Sequence, residues 1–221
     1  CALPIYPAQL EVLKAAVDEA KKIGSYVVVH AASVKAMHAA LDAGTIRLVH
    51  TPHFSWMTDA DAKRAADLGV FNLSCAAFGT PVFNVFNQDN VPTFRDGSAW
   101  PDKILDGAGR GREAGYKAVN SRTLFDNGVP FGFGTDTGYL PIKGLEQELK
   151  TLFLMFSMKD IVKVMGPNSA AFLDMSKDIG TLETGKLADI VLVGGNPMDG
   201  FWNMLNVRAT IKGGVVLYEK K

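Results

Sequence analysis

The stretch Pro130-Phe131-Gly132-Phe133-Gly134-Thr135-Asp136-Thr137-Gly138 decides how the rest of the chain is read. It opens as a short apolar run and stops at a carboxylate set among small residues. A run this short and rich in Phe and Gly predicts a buried strand over residues 131–136, whose glycines admit close neighbours. Asp136 then stands at the strand's end, and in barrels and open parallel sheets catalytic groups collect at C-terminal strand ends. Taken alone, Asp136 reads equally well as the start of a turn or the cap of the next helix, since Asp-Thr-Gly is good turn chemistry.

Two other strand-like runs change that balance. Ser25-Tyr26-Val27-Val28-Val29-His30 and Ile46-Arg47-Leu48-Val49-His50 each end in a histidine. Helical spacing precedes each of them. Residues 9–23 put Leu10, Leu13, Val17 and Ala20 on one face with Glu11, Lys14, Asp18 and Lys21 opposite, and Gly24 closes the helix. Residues 33–42 form a second helix stopped at Gly44, and residues 59–68 a third stopped at Gly69. Val70 to Cys75 then reads as a third strand. This alternation argues for a parallel sheet with helices outside it.

Residues 78–102 break the rhythm with Gly, Pro and Asn among several aromatics, and read as a packed lid over a site. Helices are expected over 113–127, 145–158, 159–165 and 167–173, the last entered by Pro167. The tail changes character: residues 179–193 read as turn chemistry leading into a strand, and 207–211 and 215–218 as further strands. The expected division is residues 1–176 as an α/β unit and 177–221 as a small β element.

The chain has 221 residues, 48% hydrophobic and 21% charged, with a formal net charge of zero. It carries no electrostatic footprint for nucleic acid or an anionic membrane, and no run of transmembrane length. Cys1 and Cys75 give neither a disulfide framework nor a cysteine metal cluster. A start at Cys rather than Met suggests a piece of something longer.

Four histidines occur: His30, His38, His50 and His53. Neighbouring parallel strand ends lie about 4.8 Å apart, so His30, His50 and Asp136 are placed to converge on one cation. Neutral imidazole with carboxylate suits Zn²⁺, and also Mn²⁺, Fe or Co²⁺. His38 falls mid-helix, where surface or packing roles are the default. His53 lies in the loop after its strand, either reaching a substrate or solvated. Glu148 is expected on a solvated helix face.

Val29-His30-Ala31, Leu48-Val49-His50 and Gly134-Thr135-Asp136-Thr137-Gly138 together resemble the second half of a metal-dependent amidohydrolase, in the imidazolonepropionase-like and Xaa-Pro-dipeptidase-like branch. The tail is the more specific signal: residues 180–193, then Gly195-Asn196-Pro197, then Lys212-Gly213-Gly214, resemble that family's closing segment. Asn168-Ser169-Ala170-Ala171 matches the segment before it.

This resemblance implies a (β/α)₈ barrel, of which the chain holds strands five to eight, followed by part of a small β domain. It implies metal ligation by His30 and His50, with zinc the first choice and one or two ions bound. Asp136 is implied as both ligand and general base toward a metal-bound water. The implied chemistry is hydrolysis of a carbon–nitrogen bond in a small-molecule amide, cyclic amide or dipeptide. His53 is a candidate substrate contact. The family's His-x-His motif has no counterpart here, so the chain alone is expected to show little or no turnover. It is expected to associate with a missing N-terminal half or with copies of itself. Two other readings compete with this one: a non-catalytic half-barrel module that binds a ligand or pairs with another chain, and an open doubly wound protein with a phosphorylated or nucleotide ligand. The second lacks any glycine-rich phosphate loop.

Overall fold

The computed structural model describes residues 7–77, 110–136 and 143–221. The expected lid over residues 78–102 lies outside them. Four strands form a parallel sheet in the order β1-β2-β3-β4: β1 is Val28–His30, β2 Arg47–Val49, β3 Phe71–Leu73 and β4 Phe131–Gly132. Register runs His30 to Val49, Val49 to Leu73, and Leu73 to Gly132. Helices α1 (Pro7–Lys22), α2 (Val34–Asp42), α3 (Asp59–Asp67) and α4 (Arg110–Asp126) each lead toward the next strand.

One turn makes all four of these helix-to-strand joints. Gly24, Gly44, Gly69 and Gly128 have φ between 68° and 93°. In each case the glycine N–H donates three residues back, and the next N–H donates five back. Ser25 reaches Ala20, Thr45 reaches Ala40, Val70 reaches Ala65 and Val129 reaches Leu124. This is the glycine-terminated helix end that satisfies the last helical carbonyls. Entry into α2 and α3 is equally local. Ser33 caps Ala36 N–H, and Thr58 forms a reciprocal box with Asp61.

The strands are shorter than expected, which corrects the sequence reading. β1 starts at Val28, and both Val28 and His30 are exposed because β1 is the sheet edge among the described residues. β4 ends at Gly132, four residues before Asp136. Gly134 nevertheless holds its place by packing: a Cβ there would meet Leu73 Cδ2 at 2.7 Å and Cγ at 2.9 Å.

The core sits between the sheet and the helices, with Leu48, Leu124, Phe131, Leu149, Leu152, Phe156 and Ile161 fully buried. Phe156 stacks at a tilt on Phe125 and Phe131. Helix α5 is Gly144–Met155 and α6 is Met158–Lys163; α6 is capped by Ser157. Pro167 does not open a helix. It lies inside a π-helical turn, Val164–Asn168, that runs on into α7 (Ser169–Phe172). The wider turn leaves room for the proline ring that an α-turn would reject. His38 fulfils its packing reading: Arg64 donates to its Nδ1 at 2.5 Å and its Nε2 meets Asp61 at 2.6 Å, joining α2 to α3.

The tail forms a separate antiparallel sheet, β5 (Ile190–Val193), β6 (Val207–Lys212) and β7 (Val215–Glu219), with helix α8 (Trp202–Leu205) between β5 and β6. It is fastened to the α/β unit at two points. Gly180, at φ 96°, approaches so closely that a Cβ would lie 2.6 Å from Ala170 Cβ. Phe153 packs edge-on and tilted against Trp202 and Phe201. Among the described residues no helix is long and apolar enough to cross a membrane.

Candidate functional site

Three strand exits carry the polar groups named from sequence. His30 closes β1, His50 follows β2, and Asp136 lies beyond β4. The His30 and His50 rings meet edge to face with centroids 4.3 Å apart. His50 Nε2 stands 3.5 Å from Asp136 Oδ2, within ion-pair reach but beyond a good hydrogen bond. His50 is buried, whereas the Asp136 side chain is 53% exposed. These three side chains therefore converge in pairs at one end of the sheet. Among the described residues, no three His, Cys, Asp or Glu side chains are arranged to hold a metal ion.

The backbone at these exits is unusual. His50, Cys75 and Asp136 have φ of 64°, 41° and 46°, a region non-glycine residues rarely adopt. Each such residue costs about 1–3 kcal/mol, and such residues gather at functional sites. Three successive strand exits share it. Asp136 also does not cap the next described helix, whose N-cap is Lys143.

Burial sets the protonation of the imidazoles. It lowers the pKa of His30 below the ordinary range. It brings His50 down to about 4, with the neighbouring His30 and Lys117 adding to the effect. His53 is also brought to about 4, by burial first and Lys117 second. At neutral pH all three rings are uncharged and keep a lone pair for a cation or a proton.

His53 is not solvated. It is buried, its N–H donates to Ala32 O at 2.8 Å, and its Nδ1 donates to Thr51 O at 2.8 Å. That bond assigns the remaining lone pair to Nε2. The loop carrying it is clamped by α4. Asn120 accepts from Met57 N–H at 2.9 Å and donates to Pro52 O and Ser55 O, both at 2.8 Å. Ser121 bonds Thr51 at 2.9 Å, and Asn72 donates to the same threonine.

Sequence reasoning missed this clamp, although Lys117, Asn120 and Ser121 fall at i, i+3 and i+4, one face of a helix. All three are buried. It also misplaced Glu148, which is completely buried rather than on a solvated face. The available signal was helical spacing: Leu152 and Met155 fall at i+4 and i+7 from Glu148, on one face of α5. Burial raises the Glu148 pKa to about 7 against its three hydrogen bonds. Cys75 is buried with its thiol pushed up to about 12, so it is no nucleophile. A cleft of about 390 Å³ lies elsewhere, between the π-turn region and the β5 approach, and contains none of these groups.

A parallel sheet flanked by helices, with imidazoles and a carboxylate near its C-terminal ends, is the architecture of barrel and open-sheet α/β proteins. The sequence pattern of the amidohydrolase family matches residues 4–217, and the chain belongs to that family. Among curated proteins it is similar to imidazolonepropionase of Caldanaerobacter subterraneus subsp. tengcongensis, 33% identical over 85 residues, covering 37% of this chain and 20% of that protein. Imidazolonepropionase of Thermoanaerobacter pseudethanolicus is 33% identical over 79 residues, covering 34% and 19%. Among solved structures, a Xaa-Pro dipeptidase with bound methionine in its active site superposes with a TM-score of 0.73 at 24% identity, covering 96% of this chain and 49% of that one. The ochratoxinase of A. niger gives 0.72 at 18% identity, covering 96% and 46%. These likenesses show the fold. The chain spans about half the length of the solved structures and about a fifth of the curated relatives.

Proposed function

We propose that this chain contributes the back half of a metal-dependent amidohydrolase barrel, strands five to eight, and that its strand exits serve hydrolysis of a carbon–nitrogen bond. The observation that carries this reading is the convergence of His30, His50 and Asp136 at one end of the parallel sheet, with His50 and Asp136 held at positive φ. In this reading residues 1–176 belong to the barrel and 177–221 to the small β element.

The donor set fits a divalent ion such as zinc. Two uncharged imidazoles and one carboxylate are the ligands that zinc takes at catalytic sites with an open position. A bound ion of this kind lowers the pKa of a coordinated water toward neutrality and polarises a carbonyl. The chain's own part is then positional. Burial keeps His50 neutral, and partial desolvation together with nearby positive charge lowers the pKa of His30 as well, so both imidazoles present lone pairs at neutral pH. Asp136, half exposed, is open to a water proton and able to return it to a leaving amine. His53, whose Nδ1 bond to Thr51 O makes Nε2 the acceptor nitrogen, is the candidate contact to a substrate N–H.

The substrate class is a small amide, cyclic amide or dipeptide, a reading supported by similarity to imidazolonepropionases and to a Xaa-Pro dipeptidase. The edge strand β1 and the wholly exposed apolar β7, with Val215, Val216, Leu217 and Tyr218, support association with the rest of a barrel. The test is an amine-release assay over amides and dipeptides. Turnover that a chelator removes and Asp136→Asn abolishes is expected from a form carrying the whole barrel, with little or none from the 221-residue chain. Equal activity in Asp136→Asn would refute the assignment.

A further inference from the structure

We propose that Glu148 is a positioning residue that acts through Ser74 on the backbone leading to Asp136. The proposal rests on the reading of His30, His50 and Asp136 as the working site. Glu148 Oε1 accepts from Ser74 Oγ at 2.5 Å and from Ala76 N–H at 2.9 Å, and Oε2 accepts from Ala77 N–H at 2.7 Å. A buried carboxylate costs several kcal/mol unless its oxygens are satisfied. These three donors all come from the β3 exit, so the interaction is aimed at that turn and not at helix packing.

Ser74 carries the contact onward. Its Oγ lies 3.3 Å from both the carbonyl and the N–H of Gly134. A hydroxyl has one hydrogen, and the shorter contact to Glu148 takes it. Gly134 N–H then donates to the Ser74 oxygen, while Gly134 O accepts Cys75 N–H at 2.9 Å. Gly134 is pinned on both sides, two residues before Asp136. The two left-handed residues of this region, Cys75 and Asp136, flank that pinned unit. Removing the anchor lets both relax toward ordinary backbone and swings the Asp136 carboxylate away from His50.

The experiment compares wild type, Glu148→Gln and Ser74→Ala by backbone amide NMR, with cobalt(II) titration read in the visible spectrum. Gln keeps the size of Glu but sets an NH₂ against an amide donor. Ser74→Ala cuts the relay while leaving the Glu148 carboxylate and its two backbone donors, Ala76 and Ala77, in place, and decides the matter if Glu148→Gln does not fold. Both variants are expected to move the Gly134, Thr135 and Asp136 amides and the His50 ring signals. They are also expected to alter the cobalt(II) spectrum and weaken binding about 10- to 100-fold, as loss of groups supporting metal ligands does. Shifts confined to residues 74–77 in both variants, with Gly134–Asp136 unmoved, overturn the proposal. Failure of the underlying reading looks different: His30→Ala, His50→Ala and Asp136→Asn would leave cobalt(II) binding at the wild-type level while the shifts still spread to Asp136.

Discussion

Replacing Asn120 with alanine tests whether the His53 loop is held by α4. Asn120 is fully buried and makes three hydrogen bonds to residues 52–57. Truncation leaves Met57 N–H and the Pro52 and Ser55 carbonyls without it. An unsatisfied buried polar group costs about 1–3 kcal/mol. Ser55 lies on an exposed part of the loop and water will replace that bond, so two groups bear the full cost. The expected loss is about 3–5 kcal/mol, a large part of the roughly 5–15 kcal/mol that holds an ordinary domain folded. Asn120→Asp is expected to be worse, since it keeps the acceptor but turns an oxygen toward two carbonyls. The assay is urea unfolding followed by circular dichroism, with Trp56 as a local reporter because it sits edge-on to Tyr116 of the same helix at 4.3 Å. A loss under 1 kcal/mol for Asn120→Ala, with Trp56 emission unchanged, would refute the clamp.

Three further outcomes follow from the same structure. In the metal-free chain, His50 and His53 lie near 4 when folded against an ordinary 6.5, so the unfolded chain takes up protons first and stability rises as pH climbs from about 4 to 6.5. Glu148, at about 7 against 4.5, works the other way and lowers stability as pH rises through that window. Each group is worth roughly 3 kcal/mol, so two histidines outweigh one carboxyl. Urea midpoints should increase over that range, and His53→Gln should flatten the rise. Gly180→Ala must accept both a φ of 96° and a Cβ 2.6 Å from Ala170, whereas Gly185→Ala, at φ 92°, meets nothing within 4 Å. Thermal unfolding should therefore show about 1 kcal/mol lost at Gly185 and clearly more at Gly180. Phe131→Ala, at the centre of the core, should cost about 3–5 kcal/mol by urea denaturation.

Much of this fold was legible because its signals are local. Glycines 24, 44 and 69 announced the same helix end, and that turn recurs at Gly128. The histidines and the aspartate stood out because each ends an apolar run. Strand lengths were not legible, because apolar residues continue past the paired residues, and Gly134 is held beyond the end of β4 by packing on Leu73 and a bond from Cys75 N–H. Pro167 misled because proline usually starts helices, and only the π-turn tolerates it inside one. The partners of Glu148 and Asn120 were missed for a different reason. They lie more than 60 residues away, and a single polar residue on a helix gives no local sign of what it will meet.

The most direct test of the central claim is cobalt(II) titration of the purified 221-residue chain beside its His30→Ala, His50→Ala and Asp136→Asn variants. The account predicts saturable binding of one ion per chain, weakened by each of the three substitutions. Absence of saturable binding, or binding indifferent to all three, would contradict it.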